Sequence, residues 1–132
     1  MTAELYPAAT RDLTHMRLAL APEAAAAFND FGKAVVAEGA LSTKIKHIIA
    51  VAAAHVTQCP YCIRGHTRAA LREGASQQEL MEAIWVAAEM RAGAAFAHSV
   101  IAISEMGEAR AAAANDHPQH TPATGENHGH SI

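Results

Sequence analysis

Cys59-Pro60-Tyr61-Cys62-Ile63-Arg64-Gly65-His66 decides how this chain folds. Upstream, Ser42 is a good N-cap, and Ile45, Ile48, Ile49, Ala52 and Val56 recur at helical spacing, which predicts a helix over roughly 42–57. Thr57-Gln58 breaks that pattern. Pro60 suits a first helical position, with Cys59 as N-cap, so a further helix runs to about Arg72, where Gly74 stops it. Two helices joined by so short a turn form an antiparallel hairpin. Folding back about 57–59 sets the level of Ala50–Val51 opposite His66, with His47 about one turn deeper and His55 nearer the turn.

The flanks extend the helical pattern. Residues 1–20 signal weakly, with Leu13, Met16, Arg17 and Leu20 fitting a short helix or a packed arm. Pro22-Glu23 opens a helix carrying Phe28, Phe31, Val35 and Val36, and Gly39 is its expected end. Ser76-Gln77-Gln78-Glu79 reads as a capping box opening a long helix through Leu80, Ile84, Met90, Ala94, Ile101 and Ile103. No segment alternates like a strand, so the fold class is all-α. One helical domain over 1–110 is expected. A His-rich tail over 111–132 is too polar to offset the entropy of ordering and is expected to be disordered in isolation.

Composition narrows the function. Hydrophobic residues make up 51% of the chain but aromatics only 5%, and much of the apolar fraction is Ala, so the core is thin and leftover helix faces call for other subunits. The net charge of −3 and scattered Lys and Arg argue against nucleic acid. No apolar run approaches the about 18 residues of a membrane span, and the N-terminus lacks a signal-peptide core, which leads to a cytosolic expectation. In that compartment a two-cysteine chain is more often catalytic, redox-active or metal-binding than disulfide-stapled.

The residue types in the central stretch fit thiol redox chemistry. Positions 59, 62 and 66 fall on one helix face, and Cys62 and His66 are an i,i+4 pair. Free amides and the dipole at the helix start favour thiolate over thiol. A thiolate that attacks a peroxide becomes a sulfenic acid, which a neighbouring thiol condenses to a disulfide. His47 or His55 are the candidates for extending a proton relay to His66. Two other readings compete. In these, Cys59 and Cys62 are small buried hydrophobes, or, with His66, three ligands of a zinc site. Trp85, Met81 and Met90 read as packing residues, and Glu82 and Glu89 as solvated charge. His98 reads as a core or interface residue. Tyr61 suits either a donor to a sulfenate or an interface aromatic. His117, His120, His128 and His130 in the tail suit either loose metal binding or a plain solvated extension.

From Ser42 to about Ser99, a little under half of the chain, the sequence resembles the carboxymuconolactone decarboxylase/alkylhydroperoxidase D-like family. The resemblance rests on Leu41-Ser42-Thr43-Lys44, an apolar helix, Cys59-Pro60-Tyr61-Cys62-Ile63-Arg64-Gly65-His66, Gly74-Ala75-Ser76 and a Glu-containing amphipathic helix. It implies a helical subunit assembling into homo-oligomers, trimers or hexamers, that reduces hydroperoxides through the cysteine pair and is recycled by a dithiol reductant or reductase protein. No cofactor is implied. The resemblance assigns Cys62 the peroxidatic role, Cys59 the resolving role and His66 a place in the proton relay. The peroxidase pattern usually has a Glu twelve residues before the first cysteine; here that position is His47. The best-known peroxidase also has a His between its cysteines, where this chain has Tyr61. The decarboxylase members lack the cysteine pair, which makes decarboxylation a poor fit. The expectation is therefore a thiol peroxidase or disulfide oxidoreductase using Cys59, Cys62, His66 and His47, with a redox-responsive regulatory protein or a metal-binding protein as alternatives.

Overall fold

A computed structural model describes residues 5–116, and these form five helices with no strand among the described residues. They are α1 (Arg11–Leu20), α2 (Pro22–Val36), α3 (Thr43–Thr57), α4 (Pro60–Arg72) and α5 (Gln77–Asn115). The chain divides into two units, Met1–Ala92 and Gly93–Ile132. All the packing that positions the central motif lies in the first.

Caps fix where each helix starts. The Ser42 hydroxyl accepts the Ile45 amide at 3.2 Å, and the Glu38 carboxylate accepts the Thr43 amide at 3.0 Å. That amide hydrogen bond holds the Glu38 carboxyl below its ordinary pKa. The capping box closes in both directions: Glu79 N–H donates to the Ser76 hydroxyl at 3.0 Å, and Ser76 N–H donates to the Glu79 carboxylate at 2.8 Å. Lys44 adds an ion pair to Glu79 at 3.2 Å, tying the first turn of α3 to the first turn of α5. The Ser76 amide first, then Lys44, holds the Glu79 pKa down.

The core sits between α3, α4 and the start of α5. Val51, Ala70, Ala75 and Leu80 form it, with Ile48 and Ile84 packed against it. Val51 is fully enclosed, and Ala70 opposite is small enough for α3 and α4 to approach closely. Gly74, at φ +90°, supplies the left-handed residue that turns the chain from α4 into α5.

Two boundaries and one reading of composition differ from expectation. α2 ends at Val36 rather than near Gly39, because Ala37 leaves helical geometry and the Lys46 ammonium caps its carbonyl at 2.6 Å. α5 runs to Asn115, where Asn115-Asp116-His117-Pro118 is the helix stop expected from the sequence, so the domain boundary at 110 falls inside the helix and residues 111–115 are helical rather than tail. Ala111–Ala114, the strongest helix formers, carry it on. Residues 117–132, with the four tail histidines, lie outside the described residues. Third, although no uninterrupted apolar run is long, α5 is long and apolar enough to cross a membrane by length and composition. A stretch of 18 residues within it stays apolar on average although charged residues interrupt its shorter apolar runs.

Val51→Ala removes two fully buried methyl groups where α3 meets α4. It is expected to cost about 2 kcal/mol of unfolding free energy in denaturant titration. The exposed Val86→Ala, on α5, should change stability by less than about 0.5 kcal/mol.

Candidate functional site

The turn between α3 and α4 positions the site. Gln58 takes a left-handed conformation at φ 56°, and its amide and that of Cys59 both reach back to the Ala54 carbonyl. This is a helix C-cap built on a residue other than glycine. Arg91, from α5, holds it in place. The Gln58 carboxamide oxygen accepts from the Arg91 guanidinium at 2.8 and 3.2 Å, and the His55 carbonyl accepts from it at 3.4 Å. A cation here also complements the negative end of α3.

The chain then enters α4 through Cys59, which is its N-cap as expected. The Cys62 amide donates to Cys59 Sγ at 3.2 Å. Cys59 and Cys62 are joined by a disulfide, their Cα atoms 5.3 Å apart. Cys62 is exposed and Cys59 half-buried.

Across the hairpin, His66 meets His47. Their Nδ1 atoms lie 3.2 Å apart, and the rings are tilted by 37° with centroids 5.4 Å apart. The side chains bridge the one-turn offset expected between them. One Nδ1 must donate and the other accept, so the neutral pair holds a single proton in the gap and leaves the donor ring's Nε2 free to take another. Burial, then the neighbouring His66, lowers the His47 pKa; Glu73 works against this and Arg72 with it. His47 therefore favours the neutral form.

His55, the other relay candidate, is spent elsewhere: its Nδ1 donates to the Val51 carbonyl, one turn back in α3, at 2.7 Å. The zinc reading gains nothing, since among the described residues no three His, Cys, Asp or Glu side chains converge to hold a metal. Trp85, Met81 and Met90 are exposed at 67%, 49% and 60%, contrary to a packing role within the single chain. The reason is that α5 carries apolar residues all round and meets neighbours on only one side. Glu82, Glu89 and His98 are exposed.

Two contributors escaped the sequence reading. Arg91 is one. The other is the segment before α1, where the Tyr61 hydroxyl donates to the Pro7 carbonyl at 2.7 Å and Tyr6 packs edge-on against the Tyr61 ring. Tyr6-Pro7 was a possible signal, but nothing local tells which partner a tyrosine 54 residues away will choose.

The chain belongs to the carboxymuconolactone decarboxylase family, whose model matches residues 22–105, a longer stretch than the motifs alone mark out. It is 58% identical over 82 residues to "Uncharacterized protein 4 in cox locus" of Paracoccus denitrificans, covering 62% of this chain and 74% of that one. Among solved structures, a protein from Methanobacterium thermoautotrophicum superposes with a TM-score of 0.61 at 39% identity, over 64% of this chain and 94% of the other. A carboxymuconolactone decarboxylase family protein from Legionella pneumophila gives 0.56 at 33% identity, over 61% and 75%.

The lowered His47 pKa has a consequence for stability. Between that value and the ordinary 6.5, the unfolded chain binds more protons at this residue than the folded one. The stability contributed by keeping His47 neutral is thus present above pH 6.5 and is lost as pH falls through the folded value. His47→Gln should flatten this part of a denaturation profile measured from pH 7 downward.

Proposed function

We propose that this protein is a thiol-dependent peroxidase acting on organic hydroperoxides through Cys59 and Cys62. The observation that carries the reading is the disulfide at the start of α4, one turn from a histidine that is itself paired across the hairpin. In the reduced form, Cys62 is the open sulfur and suits attack on the peroxide. Its thiolate takes the terminal oxygen, the O–O bond breaks, and the alcohol leaves with a proton drawn from the His66–His47 pair. Cys59 then attacks the Cys62 sulfenic sulfur. The disulfide forms, and hydroxide leaves as water with a second proton. The amide that Cys59 Sγ accepts favours its thiolate, the form that must attack in this second step. A dithiol donor returns two electrons and two protons.

The same reading places the protein in a homo-oligomer. Phe28, Phe31, Trp85 and Val86 are between 61% and 75% exposed in the single chain. Patches of this kind are what subunit contacts cover. Within the second unit, Phe96, Val100, Ile101 and Met106 are exposed in the same way. Residence in the cytosol, where dithiol donors are maintained, fits this chemistry.

Thiol titration after a stoichiometric pulse of cumene hydroperoxide, followed by steady-state turnover with a dithiol, tests the proposal. Wild type should lose two thiols per chain and turn over. Cys62→Ser should fall to the uncatalysed rate. Cys59→Ser should give a trappable sulfenic acid in the first turnover and then slow by roughly tenfold or more. Reversible oxidation without turnover would instead make it a redox-responsive protein.

His47→Glu would place a carboxylate beside His66. An opposite charge at hydrogen-bond distance raises an imidazole pKa, so the basic limb of the pH–rate profile, set by the proton donor, should move up by roughly one unit.

A further inference from the structure

The arginines that look scattered along the chain line up on α4. Arg64, Arg68 and Arg72 stand at i, i+4 and i+8, on one face and over about 12 Å of helix. All three are exposed. The ion pairs among the described residues are Lys33–Asp30 and Lys44–Glu79, so the stripe has no internal counter-charge. Tyr61 continues it by one turn toward the disulfide, and exposed Cys62 lies about 120° round the helix from Arg68, with Gly65 midway between them.

A second observation concerns the gap between Cys62 and the stripe. Gly65 lies there, in the interior of α4, where glycine weakens a helix relative to alanine. No packing within the chain asks for it, since a Cβ at this position would meet nothing within 4 Å. A bare stretch of helix beside an exposed sulfur gives another backbone room to come close.

We propose that this outer face of α4 docks an acidic dithiol protein that reduces the Cys59–Cys62 disulfide. The inference rests on the redox reading above and adds to it the partner's charge and place of contact. Three unpaired arginines call for carboxylates. The face also lacks the phenylalanines and tryptophan that α2 and α5 expose, which suits a small, transient polar encounter rather than a permanent subunit contact. A partner thiolate arriving over Gly65 attacks Cys62 Sγ and forms a mixed disulfide. Cys59 leaves as a thiolate already accepting the Cys62 amide. The partner's second thiolate then breaks the mixed disulfide, so the partner ends as a disulfide and both cysteines end reduced, each taking up one of the two protons the partner's thiols release.

The test uses the full chain in its disulfide form with three reductants: a Cys-x-x-Cys peptide flanked by glutamates, the same peptide flanked by lysines, and dithiothreitol. At low salt the glutamate peptide should reduce the protein roughly tenfold faster than the lysine peptide, with the advantage fading as salt rises. The double variant Arg64→Glu/Arg68→Glu should invert the preference and leave the dithiothreitol rate unchanged. Arg72 is kept because it also bears on His47. Equal peptide rates in wild type, or a preference that survives the double variant, overturns the proposal. A change in sedimentation of the double variant also overturns it by assigning the face to a second copy. Failure of dithiothreitol to reduce the pair at all would sink the redox reading itself.

Discussion

The left-handed turn at Gln58 is the constraint on which the site depends. Reversal from α3 into α4 in so few residues needs one residue at positive φ, and the chain uses Gln rather than Gly there. A side chain in that conformation costs on the order of 1 kcal/mol. Here the same side chain accepts the Arg91 guanidinium, so the strained residue is held from a third helix. The turn ends where Cys59 caps α4, and Pro60 fixes the next φ. From that point the helix repeat leaves no freedom: Cys62 falls one turn on, His66 another, and the returning α3 presents His47 to it.

Local chemistry was legible in the sequence, and distant partners were not. Ser42, Cys59 and the Ser76–Glu79 box marked three helix starts, because a cap is a contact between residues three apart. The pairing of His47 with His66 followed from hairpin geometry plus resemblance, though periodicity alone left His55 equally eligible. Its diversion to the Val51 carbonyl is a choice between two hydrogen bonds that spacing does not decide. Arg91 reaches the hairpin from 33 positions beyond Gln58, and Tyr61 reaches back to Pro7. Such contacts are set by packing. The end of α2 was missed for the same reason, since the group that caps its carbonyl is Lys46 of the next helix.

The exposed apolar residues carry a different lesson. Phe28 and Phe31 on α2 mark an apolar helix face and Trp85 on α5 suggests a packing residue, yet the single chain leaves all three open. The enclosed core is small, built from Val51, Leu80 and alanines. An alanine-rich composition lets α3 and α4 approach closely but removes little area from water per residue. Close packing at the hairpin and thin burial elsewhere are two results of one composition, and they separate the rigid part of the site from the faces available to partners.

The relay proposed through His47 and His66 differs in kind from one that ends in a carboxylate. A carboxylate beside His66 would stabilise an imidazolium and hold the proton near the cysteines. A second imidazole, held toward the neutral form by burial and by His66 itself, would in the proposed relay pass a proton on without holding it. In the proposed chemistry, thiolate stabilisation then falls to the N-cap, where the Cys62 amide donates to Cys59 Sγ. The proposed chemistry thus divides between the N-cap at the start of α4 and the His47–His66 contact across the hairpin. Both depend on the same turn, because a shift of the α4 start by one residue would rotate Cys62 and His66 about 100° off the face that meets α3.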